Sequence, residues 1–561
     1  MQILIKFDPK YFPLKKHFLF LAGLFILLSF NSLFAQAPPK KIVVENSDMV
    51  DIQQTEVPGA IRYRGNVRLI HDGVRMSCNV AYLFNKENYV KAFGDVKMNQ
   101  GDTVFMDSKY AEYRGNTKFA FATGNVVMRD PKMTLTTDTV NFDRRVQQAY
   151  YTTYGTIKDQ ENTLKSKSGR YYLDQKKFQF LTAVTITNPK YVIKSNHLDY
   201  YSNSGHSYLF GPSTITSKEN FIYTEKGFYD TKKNFAHFVK NSYIKYNNRL
   251  IEGDSLYYDR NIEFASATNN VKITDSINKG IVRGHYGEVF RNQDSLVMTK
   301  HAVAETLVEK DTLYIHGKKL MVTGKPENRI IRAFNNVRFY KIDMSGKCDS
   351  LHSSEKNGLT QLIGKPVVWN GENQLTGKLI HLISNTQTEK LDSLKVLTDA
   401  FLVSKDTLGK GYNQVKGVNL YGKFRDNKLY EVDLVKNTEK IYYAYDKGEL
   451  QAIDKGTSSA IHMELEDNQI TSVTSLIKPE SESYPEKDLP ENARKLKGFI
   501  WRGDEIIKTK DDIFPQEEKD LHEKILKRTR AEKAKPDVPM EVRKETLDYD
   551  KNNPEPKAKV Q

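Results

Sequence analysis

Cysteine is nearly missing from this sequence: Cys78 and Cys348 are the only two among 561 residues. At most one disulfide can form, and whether this widely separated pair forms it stays open, so a disulfide framework is excluded. Tryptophan is equally scarce, with Trp369 and Trp501 alone. The twelve histidines are scattered without metal-ligand spacing, and no Gly-rich loop is placed to cradle phosphate. No cofactor or metal is therefore expected. With 39% hydrophobic and 28% charged residues the chain is too polar for a multi-span membrane protein.

Its one long apolar run stands at the beginning, where Lys15, Lys16 and His17 precede "FLFLAGLFILLSFNSLFA". A basic stretch, an apolar stretch and the small Ala35 read as a signal peptide over 1–35, with the mature chain starting near Gln36. The run is nearly long enough to remain as an uncleaved anchor, so cleavage and retention are both open. The formal charge is +15. Residues 1–35 hold Lys6, Lys10, Lys15, Lys16 and Asp8, so the mature chain keeps about +12. An exported basic protein suits an anionic partner such as phosphorylated lipid, and export argues against nucleic acid.

What the sequence does contain is a repeat. Segments begin "GNVRLIHDG" at 65, "GDVKMNQGD" at 94, "GNVVMRDPK" at 124, "YGTIKDQEN" at 154, "AVTITNPKY" at 183, "PSTITSKEN" at 212, "NSYIKYNNR" at 241 and "NNVKITDSI" at 269, a period of 28 to 30 residues. Weaker copies follow at 301, 335 and 365, and irregular ones run to about 477, for about twelve units in all. Alternating apolar residues, many Tyr, Val and Thr, and turn residues every ten to fifteen positions predict strands throughout.

On that alternation Val67, Leu69, Val96, Met98, Val126 and Met128 share one face of successive strands. In "MTLTTDTVNFD", "YVIKSNHLDYY" and "LIEGDSLYYD" a polar residue precedes an aromatic by four. The spacing predicts that Asp138 and Phe142, Asn196 and Tyr200, and Asp254 and Tyr258 also share faces. Ile157, Ile186, Ile215 and Ile244 stand one place off the Val67 register, which means either a bulge or a misplaced repeat boundary.

"GDSL" at 253–256 matches the opening of an esterase signature, but a nucleophile needs a singular placement and a base. Asp-Ser-Leu recurs at 294, 349 and 392, so Ser255 reads as a strand residue and the protein as a binder, not an enzyme.

"VKAFGDVKM" and "FAFATGNVVMRDPKMTLTTDTVNFD" resemble the OstA-type repeat of periplasmic lipopolysaccharide-transport proteins, LptA and the amino-terminal domain of LptD. The resemblance is good over 61–300 and weak over 301–477. It implies an elongated, all-β antiparallel jellyroll, a V-shaped stack around a trough for lipid A acyl chains, which the six aligned apolar residues would line. It implies a periplasmic bridge that carries lipopolysaccharide toward the outer membrane. Partners would be inner- and outer-membrane transport proteins joined through edge strands, with head-to-tail self-association possible in the same way. A dry surface solenoid or adhesin, and a barrel-less relative of the translocon, are the alternatives.

The organisation expected is then a signal at 1–35, a lead-in at 36–60, regular repeats at 61–300, divergent repeats at 301–477 and a charged tail at 478–561. In that tail Phe499, Ile500 and Trp501 form an apolar island that should pack on the last repeats or dock a partner. Pro515, early acidic residues, late basic residues and Pro536 predict one peripheral helix over about 515–535, whose few apolar residues are Leu521, Ile525 and Leu526. Beyond Pro536 the tail is expected to be disordered.

Overall fold

The computed structural model describes residues 40–534 apart from 53–54, 160, 278–279, 309, 326–327, 389 and 468. The signal segment and the tail after 534 lie outside the described residues. The chain divides into two compact units, one of residues up to 160 with 170–174, the other of 161–169 and 175 onward. Both are all-β, antiparallel jellyroll stacks.

In the first unit six strands follow one another, each antiparallel to the last: Ile61–His71, Val74–Phe84, Tyr89–Gln100, Val104–Arg114, Phe119–Asp130 and Met133–Asp143. The first hairpin closes through Asp72 and Gly73, both left-handed at φ 47° and 80°, between the paired residues His71 and Val74. Two consecutive left-handed residues make the turn whose twist matches that of the strands, and Asp-Gly is among the sequences that allow it.

Every one of these strand pairs breaks register once near its middle. Arg64 pairs with Val80 and Val67 with Cys78, so Gly65 and Asn66 stand opposite Asn79 alone. Gly65 and Asn66 have φ of 75° and 45°; Gly94 and Asp95 have 72° and 44°; Gly124 and Asn125 have 86° and 56°. Left-handed backbone is costly for most side chains and easiest for Gly, Asn and Asp, which explains the repeated Gly-Asn. At Gly124 space adds to the demand, because a Cβ there would lie 2.8 Å from Lys109 Cβ.

The left-handed pair bends the strand into a corner. An extended strand of eleven residues would hold its ends roughly 36 Å apart. Yet His71, at the end of one half-strand, makes a 2.8 Å hydrogen bond through Nδ1 to the hydroxyl of Tyr113, near the opposite end of its own strand. The half-sheet after the corners is folded back over the half-sheet before them.

The corner also settles the register of the four isoleucines. Left-handed Tyr154, Ala183, Gly211 and Asn241 mark their corners. The buried residues Gly155, Val184, Ser213 and Ser242 take the place of Val67, and Ile157, Ile186, Ile215 and Ile244 take that of Leu69. The parity is uniform and the repeat boundary was displaced by one. A second expectation fails at the same bend: Asp138 and Asn196 are exposed while Phe142 and Tyr200 are buried. The polar residue is the lone bulge residue opposite the corner, so a separation of four no longer means one face.

The second unit repeats the pattern and lengthens it, its last long strands being Leu391–Lys405, Tyr412–Arg425, Lys428–Asp446 and Glu449–Glu466. From about Glu486 the chain turns back and lies as a strap on the solvent side of this unit's post-corner half-sheet. Leu489 and Leu496 pack on Phe401, Val403, Ile441, Tyr443 and Ile453, joined by Phe499 and Trp501. Phe401 and Val403 alternate with inward-facing Ala400 and Leu402, which fixes the side on which the strap lies. Farther along, Ile507 and Ile513 pack with Val303, and the strap ends in the helix Gln516–Lys533.

Replacing Gly124 with Ala is expected to lower stability by about 1–2 kcal/mol from the left-handed backbone alone, with the Lys109 contact adding to it. The midpoint of denaturant unfolding measures this, and an unchanged midpoint would remove the corner from the account.

Candidate functional site

Inside the first unit two kinds of wall are buried. After the corners, cross-strand pairing runs Leu69, Met76, Met98, Met106, Met128, Leu135, Ile157 without interruption. Before the corners it runs Ala81, Ala92, Ala111, Ala122, Val140. The six residues singled out from sequence all lie in the post-corner half-sheet. Val67, Leu69, Val96, Met98, Val126 and Met128 are no more than 5% exposed. Sequence reasoning missed Met76, Met106 and Leu135, which complete the row from the intervening strands, and the alanine wall opposite. "VRMSC", "VFMDS" and "MTLTT" carried the signal for the first three.

A wall of alanines takes up little depth, and a wall of methionines is long and unbranched. Such thioethers change rotamer cheaply and fill irregular space. Deeper toward the corner Cys78 pairs across from Val67. In the second unit Cys348 occupies the same place across from Val337. Both are free thiols pushed up by burial, to about 11 and about 12.

The mouth of the first unit, where the free ends of its two half-sheets meet, is polar. Asp72 accepts from Lys40 at 2.8 Å and from Lys118 at 2.5 Å, and these cations hold its carboxyl well below the usual range. Arg144 reaches across to the carbonyl of Asp72 at 3.0 Å, to Gln100 at 2.9 Å and to the Tyr113 hydroxyl at 2.9 Å. Within the second unit Arg260 donates to the Lys190 carbonyl, Arg291 to Glu219 and Arg329 to Asp275. These three partners lie more than fifty positions away in the sequence. Arginine's planar fork can bind a carboxylate or phosphate with two parallel hydrogen bonds, which fits it to a seam of this kind.

Ser255 opens the strand Ser255–Asp259 and pairs with Thr268. Its neighbour Asp254 is the engaged residue, accepting from Asn270 at 2.7 Å and from Thr529 of the strap helix at 2.6 Å. The helix docks through Glu518, His522 and Thr529, whereas Leu521 is 37% exposed. A search for apolar spacing could not find that polar face.

Nor are all the histidines scattered in space. His301 stacks on Phe514, with ring centroids 3.7 Å apart, and lies 4.4 Å from His522, while His285 hydrogen-bonds His522 at 2.9 Å. His316 is fully buried 3.7 Å from Glu518. Burial pushes His285 down to about 4, His301 to about 3 and His316 to about 4. Elsewhere Glu431, Asp433 and His462 bring ligand-type atoms within 4.8 Å of one another. Lys423 already pairs with Glu431 and His462 with Asp433, so this trio is an ion-paired surface network.

Two outcomes follow from this geometry. Ser255→Ala should move stability by no more than about 0.5 kcal/mol, as for a surface substitution without a special role; a larger loss in unfolding experiments, or loss of an esterase activity, would contradict it. The docked histidines have folded values below the ordinary 6.5, so docking is favoured fully above that pH and is lost as pH falls toward about 4. Glu518, whose carboxyl burial raises, opposes this with one group against four, since burial lowers His522 as well, while Asp254 and Glu523 favour and Lys300 and Arg338 disfavour charged imidazoles. Amide hydrogen exchange over residues 518–529, corrected for intrinsic rate, should accelerate about tenfold or more between pH 7 and pH 5, equivalent to about 1.4 kcal/mol; unchanged protection would refute the assignment.

The OstA-like protein family matches residues 39–196. No curated protein matches the chain. Among solved structures LptH of Pseudomonas aeruginosa, described as an LptA-homologous periplasmic component of a lipopolysaccharide transport device, is 16% identical. The match covers 25% of this chain and 94% of that one, with a TM-score of 0.20, too low to transfer a function. The matched residues 39–196 hold the first left-handed corners and the buried methionine row, and over them the chain is similar to the OstA-like proteins.

Proposed function

We propose that this protein is a periplasmic lipopolysaccharide carrier of the LptA type, without catalytic activity, that passes lipid A acyl chains toward the outer membrane between the two half-sheets. The observation that supports the reading is an apolar interior with a polar, cation-rich seam at its mouth. Val67, Leu69, Val96, Met98, Val126 and Met128 would line the trough with Met76, Met106 and Leu135. Each methylene moved from water to that wall gains about 0.8 kcal/mol. Headgroup phosphates would take the place of Asp72 among Lys40, Lys118 and Arg144. Repeated rungs make successive positions nearly equivalent, so sliding costs little, and direction would have to be supplied by an energised partner. Edge strands such as Met49–Asp51, with Met49 60% and Val50 57% exposed, offer pairing sites for neighbouring transport proteins or another copy.

One observation favours a dry solenoid instead: the proposed trough residues are already buried in one another's company. The two readings separate on a single experiment in the exported protein. A photo-crosslinking residue at Met98 is expected to capture lipopolysaccharide in the cell, and the same residue at the outward-facing Lys97 is expected to capture none. Capture at neither position in a normally folded protein would leave the dry core as the correct reading.

A further inference from the structure

The strap shows what the solvent side of the post-corner half-sheet can bind. Gln374 and Gln414, both 1% exposed, each clamp the strap's backbone with one amide. Gln374 donates to the Ile500 carbonyl and accepts from the Arg502 amide; Gln414 donates to the Arg494 carbonyl and accepts from the Leu496 amide. Lys416 donates to the Lys497 carbonyl, Lys347 pairs with Glu505, and Arg338 donates to the Asp512 carbonyl. A peptide of irregular backbone broken by 3-10 turns is therefore held here by outward cations, outward amides and a few apolar anchors.

The internal repeat maps those positions onto the first unit. Val403 pairs with Gln374 on one side and Gln414 on the other. Asn99, likewise the fourth residue after its corner, pairs with Arg75 and Phe105. Arg68 and Lys97, second after their corners, stand where Arg338 stands in the second unit. In the first unit no described residue covers this face, and it forms a cleft of about 540 Å³ in which the cations Arg68, Arg75, Lys97 and Arg129 outnumber the acidic Glu45 and Asp107, with Phe105 beside them. Phe105 is 40% exposed. Arg129 is paired with Asp107, whereas Arg68, Arg75 and Lys97 make no ion pair among the described residues.

We propose that this cleft is a docking surface for an acidic, strap-like segment of a partner polypeptide. Its carboxylates would meet Arg68, Arg75 and Lys97, and an apolar side chain would rest on Phe105. The cationic lining supplies the charge complementarity, and the strap on the equivalent face of the second unit supplies the mode of binding. Nothing in this depends on a lipid-filled interior, because Lys97 and Met98 point to opposite sides of one strand.

The test uses the full exported chain and a labelled peptide with the sequence of residues 499–520, which carries seven carboxylates and four cations. Fluorescence anisotropy should show saturable binding. The double variant Arg68→Glu, Lys97→Glu should weaken it at least tenfold, and the same changes at Arg338 and Lys347 should leave the added peptide's binding to the first unit in place. Raising the salt should weaken binding to the wild type, because exposed charges are screened. These side chains are exposed, so thermal unfolding should be unchanged, and Phe105→Ala, which alters no charge, should weaken binding as a second variant. Absence of saturable binding, or binding by the double variant and by Phe105→Ala as tight as by the wild type, would overturn the proposal. So would a result in which charge reversal abolishes binding to vesicles of phosphorylated lipid but not to the peptide, because the cleft would then serve a headgroup. Loss of this binding with crosslinking at Met98 intact would leave the lipid-carrier reading untouched.

Discussion

A pair of left-handed residues in the middle of alternate strands, facing a single bulge residue on the next, is the constraint on which this protein depends. Gly65 with Asn66, Gly94 with Asp95 and Gly124 with Asn125 each give up ladder regularity to bend the chain. The bend lets one strand contribute to both walls, and so lets two half-sheets enclose an interior without a disulfide. The cost is met largely by residue choice, since glycine and asparagine tolerate positive φ best. Where other residues stand at the corner, as with Thr182 and Ala183, the surrounding pairing must hold the conformation.

Once the corner exists, the chemistry of the two sides separates. Inward positions become an alanine wall and a methionine wall, while the free ends become a polar seam around Arg144 in one unit and around Arg260, Arg291 and Arg329 in the other. The solvent side of the post-corner half-sheet is a third surface, and the second unit uses it to hold its own strap. One backbone rule thus creates an interior, a closure and an outer docking face. The strap helix adds a pH-sensitive contact to that outer face, through imidazoles that are favourable only while neutral.

Much of the fold was legible in advance because period and alternation are local properties of a strand. Val67, Leu69, Val96, Met98, Val126 and Met128 are on one face because a repeat of two residues dictates it, and the OstA-like resemblance rests on that same recurrence. The reading failed where the period is interrupted. A corner shifts parity in a way that letters alone do not announce, which is why the isoleucines at 157, 186, 215 and 244 seemed displaced and why Asp138 was placed beside Phe142.

The candidate sites were less legible, for a different physical reason. The sequence by itself determined the strand repeat, the inward apolar parity of its regular units, the basic charge and a helix-forming segment near the end. Only the tertiary structure decided that Arg144 closes on Asp72, that His285, His301, His316 and His522 gather at one docked helix, and that a strap returns over Gln374 and Gln414. Those contacts join residues tens to hundreds of positions apart, and no periodicity encodes them. Backbone conformation is set residue by residue, whereas a site is set by which surfaces the folded backbone brings within hydrogen-bonding distance.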